Sequence, residues 1–126
     1  MHWFSFGVAM LVAVGIIGIG LMYLIQPQKM TPNFGLPIPD GGLNTQWWLR
    51  LKGARDIASG LVVLAVMAWG SSFVLGIILL IEAFIPLADM TLILAARGST
   101  RAALSVHGLT AALMILGAIP LLTGAA

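Results

Sequence analysis

The chain has no cysteine and very little charge. Zero cysteines exclude disulfides, thiol redox chemistry and thiolate metal sites. Asp, Glu, Lys and Arg make up 8% of the 126 residues, against about 25% in an ordinary soluble domain. Hydrophobic residues make up 60%, mean hydropathy is +1.08, and the chain reads as an integral membrane protein. It has no basic cluster with interleaved aromatics, which excludes a nucleic-acid partner; the pI of 9.7 reflects only two net charges. The first apolar segment has no basic stretch before it and is too long for a signal-peptide core, so it is expected to be a retained span.

What is present is four apolar runs, each near the ~20 residues needed to cross a bilayer. They predict spans at about 4–25, 46–69, 72–95 and 100–122 in a single domain. The expected fold is all-α, a four-transmembrane-helix antiparallel bundle. Gly70-Ser71-Ser72 and Gly98-Ser99 are short connections, and short connections make successive helices neighbours. Gly7, Gly15, Gly18 and Gly20 in the first span, and Gly108 with Ala112 in the fourth, offer small residues for close helix contact. Lys29, Arg50, Lys52, Arg97 and Arg101 all fall at the ends joined by the first and third connections. The positive-inside rule therefore expects both termini outside the cytoplasm, with the bacterial inner membrane as the host. Trp3 and Trp69 would mark the outer interface, and Tyr23, Trp47 and Trp48 the inner one.

The first connection carries Pro27, Pro32, Pro37 and Pro39 together with Gly35, Gly41 and Gly42. That density excludes a long helix there. Met30, Phe34, Leu36 and Ile38 make it too apolar for a disordered linker, and a packed cap on the cytoplasmic mouth is expected.

Six of the twelve Lys, Arg, Asp, Glu and His side chains fall inside the predicted spans or at their edges: Lys52, Arg55, Asp56, Glu82, Asp89 and His107. Charge at a helix centre costs roughly 2.5–3.5 kcal/mol per residue on insertion scales, so such a set marks a site by default. Lys52, Arg55, Asp56, Ser59 and Gly60 follow i, i+3, i+4, i+7, i+8 and share one helix face. Glu82 and Asp89, seven apart, share a face of the third span, with Pro86 between them expected to kink it and open a polar cavity. Counted at 1.5 Å per residue from the outer ends, Asp56, Asp89 and His107 lie roughly 20–27 Å deep and form one layer in the cytoplasmic half; Glu82 lies near the midplane. A structural role as buried pairs, Arg55 with Asp89 or His107 with Asp56, competes with a site. Buried pairs seldom stabilise more than apolar ones, which weighs against it. A metal site is not expected: His107 is the one imidazole within the spans, and no paired motif accompanies it.

Lys52-Gly53-Ala54-Arg55-Asp56 followed by Ser59-Gly60 gives the pattern K-G-x-R-D-x-x-x-G. With the Pro-rich first connection, the late acid Asp89 and the early His107, it resembles a group of small bacterial and fungal membrane proteins of the DoxX-like superfamily. The resemblance spans nearly the whole chain. It implies a four-helix fold and, through wider relatives that include quinone-linked oxidoreductase subunits and sterol-isomerase-type folds, a lipophilic ligand.

The residues support three kinds of function. The first is a site for a small lipophilic molecule, in which His107 transfers a proton, Asp56 or Asp89 orients it, and Arg55, Lys52 and Glu82 bind the ligand; no cofactor is needed. The second is a non-catalytic subunit or assembly factor, with a membrane protein or a second copy as partner. The third, a small proton-coupled exporter, is disfavoured because exporters of this size rely on an acid in the first span, which here has none.

Overall fold

The computed structural model describes residues 2–37 and 42–124, and among these all regular structure is helical. The elements are α1 (Trp3–Ile25), α2 (Pro27–Phe34), α3 (Leu43–Trp69), α4 (Ser72–Ala95) and α5 (Thr100–Thr123). The observed ends match the expected runs to within three residues. Among the described residues three helices, α1, α4 and α5, are long and apolar enough to cross a membrane. α3 is 27 residues long and carries Arg50, Lys52, Arg55 and Asp56 in its first half.

The helix starts have local causes. The Ser71 hydroxyl accepts from the amide of Val74 and the Ser99 hydroxyl from that of Ala102, each satisfying an orphan donor of the first turn. The first connection is not all loop. It contains α2, which starts with Pro27 in its first turn, where a missing N–H costs nothing. Pro32 lies inside the helix and cannot donate to the carbonyl of Gln28; the hydroxyl of Thr31 donates to that carbonyl instead, at 3.0 Å. Gly35 then ends α2 in the left-handed region at φ 109°.

α1 packs along α3, and α4 along α5; α1 also meets α5, and α3 meets α4. The α1–α3 contact is backbone against backbone. A Cβ on Gly20 would lie 2.6 Å from the carbonyl oxygen of Gly53, and a Cβ on Gly53 2.5 Å from that of Gly20. Of the four α1 glycines expected to make close contact, only Gly20 does; a Cβ at Gly7, Gly15 or Gly18 meets nothing within 4 Å. Gly108 sits against the sulfur of Met90, while Ala112 is exposed.

The apolar core is made mainly of small and aliphatic side chains: Ala9, Ala13, Val63, Leu75, Leu79, Ala83, Met114, Ala118 and Leu121. It fills the end of the molecule that carries the α3–α4 turn. The opposite end is closed by α2. There the amide of Ser99 donates to the carbonyl of Gly35 at 2.7 Å, and Nε of Arg50 to the carbonyl of Leu24 at 3.2 Å. The two basic connections thus meet at one end of the molecule. Large apolar side chains cover the outside, as a lipid-facing surface requires.

Candidate functional site

Between the packed core and α2 lies a cavity of about 500 Å³. Its wall is polar along α3 and α4, where Lys52, Asp56, Ser59, Glu82 and Asp89 face it, and largely apolar along α1 and α5, with Leu11, Val12, Gly15, Ile16 and Ile19 opposite Val106, Leu113 and Met114. Met30, Asn33 and Phe34 of α2 close the end. Tyr23, Phe34, Lys52 and Asp89 also line a second cavity of about 410 Å³ on the α2 side, bounded by Leu36, Pro37, Leu49, Leu92 and Ile93. These four side chains are the partition between the two spaces. Met30, Phe34 and Leu36 therefore form the expected cap; Ile38 lies outside the described residues, as do Pro39 and Gly41.

His107 is buried at the α2 end of the cavity. Its Nε2 lies 3.0 Å from the carbonyl oxygen of Phe34, and the Phe34 ring is 4.7 Å from the imidazole, tilted by 60°. A carbonyl only accepts, so Nε2 carries the proton of the neutral ring and Nδ1 presents its lone pair. Nδ1 is 3.6 Å from Oδ2 of Asp89, too far for a hydrogen bond. With neither group protonated, two acceptors face each other; one proton on either makes the pair attractive. His107 stands in a π-helical stretch, Ala103–Gly108, within α5. Such wide turns free backbone carbonyls and recur at functional sites. The hydroxyl of Ser105 donates to the carbonyl of Arg101, and that of Thr110 to the carbonyl of Val106 at 2.6 Å.

Lys52 turns into the cavity. Its ammonium is 2.7 Å from Oδ2 of Asp56 and lies 4.2 Å from the centre of the Tyr23 ring and 5.0 Å from that of Phe34. The pair is partly buried, and the two ring faces add cation–π attraction. Ser59 donates to Glu82 one turn nearer the core. α4 continues through Pro86, whose buried ring lines the same wall between Glu82 and Asp89.

Five of the six residues singled out from sequence, Lys52, Asp56, Glu82, Asp89 and His107, line one cavity. Arg55 does not: it is exposed, lines neither cavity, and has no hydrogen bond or ion pair among the described residues. The reason is angular. At about 100° per residue, Gly53 and Gly60 lie some 80–100° to one side of Lys52 and Arg55 about 60° to the other. The glycines pack against α1, so the same rotation that brings Lys52 and Asp56 to the cavity turns Arg55 outward. Neither expected buried pair forms: Asp56 takes Lys52, and Asp89 approaches His107.

Two contributors were not singled out from sequence. Tyr23, expected at the membrane interface, is buried at 2% exposure on the cavity wall, whereas Trp3, Trp47, Trp48 and Trp69 are exposed. The place of Tyr23 one helical turn from Gly20 is the signal that it faces α3. The Phe34 carbonyl is a backbone atom and leaves no trace in side-chain pattern.

No curated protein and no solved structure matches this chain. A family model described as a domain of unknown function, DUF4267, matches residues 13–122. That span includes every cavity-lining residue named above except Leu11 and Val12, and the chain belongs to this family.

Proposed function

We propose that this protein is an intramembrane binding site for a small lipophilic molecule, on which His107 acts by proton transfer. One observation carries the reading: a 500 Å³ cavity, within the range of small-molecule sites, sets apolar walls on α1 and α5 against convergent polar groups on α3 and α4. In its neutral form His107 offers the Nδ1 lone pair to a ligand proton, and the Asp89 carboxylate beside it stabilises the imidazolium that results. Lys52, Asp56 and Glu82 complete the ligand-binding wall; Arg55 is no longer among the ligand-binding residues. The DoxX-like resemblance supports the same reading through its K-G-x-R-D segment and its His in the last long helix.

In this reading α3 is the fourth span of an antiparallel bundle in the bacterial inner membrane, and its charges face the cavity or the headgroups. Both termini then lie outside the cytoplasm, because all the flanking Lys and Arg collect at the α2 end. A phosphatase fused after residue 124 is expected to be active in the periplasm; activity confined to the cytoplasm would reverse the orientation.

The test is binding in lipid nanodiscs. An uncharged environment-sensitive dye is expected to bind saturably, at one per chain, above its partition into empty nanodiscs. Partition alone would defeat the reading. The outward Arg55 supports a second reading, in which α3 meets an acidic group of a partner subunit or a second copy. Arg55→Ala would then change the assembly size without changing dye binding.

A further inference from the structure

The cavity also defines the class of its ligand and the route by which it enters. On α1 the lining residues Leu11, Gly15 and Ile19 are spaced i, i+4, i+8, and all three are exposed. On α5 Val106, Thr110 and Leu113 form the facing stripe, with Val106 exposed. α1 packs on the part of α5 beyond Gly108 and not closely on the π-helical stretch. The cavity therefore opens sideways, through a seam between two apolar helix faces, and the α2 side is blocked by Phe34, held by His107 and the Lys52 ammonium. From Leu11 to Tyr23 the wall runs twelve residues, roughly 18 Å. A volume of 500 Å³ over that length leaves a slot about one hydrocarbon chain wide.

The polar end selects the headgroup. Lys52 is already engaged by Asp56, and the Ser59 hydroxyl by Glu82. What remains open is Nδ1 of His107 beside the Asp89 carboxylate, 3.6 Å apart; with the ring in its neutral form both are acceptors. They call for a donor. A carboxylate headgroup would meet Asp56, Glu82 and Asp89. An ammonium would be drawn to those carboxylates and would leave its charge in a largely apolar slot, whereas a neutral hydroxyl satisfies the open acceptors without burying a charge. It donates to Asp89 or Nδ1 and can accept from the Tyr23 phenol, which lines the same wall and has no hydrogen-bond partner among the described residues.

Resting on the binding-site reading above, we propose that the ligand is a single-chain lipophilic alcohol that enters from the bilayer through the α1–α5 seam and places its hydroxyl between His107 and Asp89. Gly15 lies in that seam, and a Cβ there meets nothing within 4 Å, so Gly15→Leu starts its side chain in open space and narrows the slot. Gly18 is equally open but lines neither cavity, and Gly18→Leu is its control.

The experiment is displacement of the uncharged dye in nanodiscs by four dodecyl compounds: the primary alcohol, its methyl ether, the amine and the carboxylate. The alcohol is expected to displace the dye at about tenfold lower concentration than the ether, the value of one hydrogen bond, and at lower concentration than the amine or the carboxylate. Gly15→Leu is expected to lose dye binding and Gly18→Leu to keep it. Saturable dye binding with the ether, amine or carboxylate as the better competitor overturns the headgroup assignment. Saturable binding that survives Gly15→Leu overturns the route. Absence of saturable dye binding in the unaltered protein removes the site itself and this inference with it.

Discussion

Replacing Gly53 by alanine tests why the K-G-x-R-D segment contains a glycine. The added Cβ would lie 2.5 Å from the carbonyl oxygen of Gly20, 2.9 Å from the Cβ of Tyr23 and 3.0 Å from the amide nitrogen of Leu24. A close carbon–oxygen contact is about 3.3 Å, so α1 and α3 must part by roughly 0.8 Å. All three obstacles at Gly53 are backbone or Cβ atoms, and no rotamer change relieves them. Overpacking of this kind costs about 1–3 kcal/mol, against a gain of roughly 0.5–1 kcal/mol from replacing glycine in a helix. We expect a net loss of about 0.5–2 kcal/mol, the difference of those ranges taken end by end. Gly18→Ala, in open space, should instead be neutral or slightly stabilising. Thermal unfolding in mild detergent, followed by helical circular dichroism, compares the two. Parting the helices also moves Tyr23 from Lys52, now 4.2 Å apart, so dye affinity should fall with stability. A Gly53→Ala protein as stable as Gly18→Ala would refute the close-approach account of this segment.

Other outcomes follow from the same contacts. His107→Gln keeps a donor for the Phe34 carbonyl and should melt near the unaltered protein, yet it cannot exchange a proton near neutral pH and should abolish proton transfer; full function in a stable His107→Gln protein would remove His107 from the mechanism. Gly35→Ala forces a side chain into φ 109° and sets its Cβ 2.8 Å from that of Ala102. We expect a local cost of about 1–3 kcal/mol, read as faster hydrogen exchange across 27–34 with little change in global melting. Lys52→Met and Asp56→Asn each leave one member of a partly buried pair alone, so the double variant should be more stable than Lys52→Met; additive losses in the double-mutant cycle would show that the pair is not coupled.

The long helices were legible because each apolar run stops at a plain signal. Gly70-Ser71-Ser72 and Gly98-Ser99 interrupt hydrophobicity and supply the hydroxyl caps seen at Ser71 and Ser99. Depth counting brought Asp56, Asp89 and His107 to one level, since rise per residue is nearly constant along a helix. Azimuth was harder. Arg55 lies at the edge of its stripe, and which edge faces inward is set by Gly20, Gly53 and Gly60, whose tight approach fixes the rotation of α3. α2 was hidden because proline count argues for loop, while Thr31 satisfies the carbonyl that Pro32 leaves free. The π-helical stretch around His107 shifts register by one residue, and apolar periodicity over six residues is too short to reveal it. The Phe34 carbonyl that fixes the tautomer of His107 belongs to the backbone, and sequence names only side chains.

The central claim is that the cavity below α2 holds a lipophilic molecule. Native mass spectrometry tests it most directly, on protein extracted gently from the membranes of its own host. The unaltered protein and Gly18→Leu are expected to retain one small nonpolar adduct per chain, and Gly15→Leu to have lost it. A bare unaltered protein, or the same adduct on Gly15→Leu, would contradict the account.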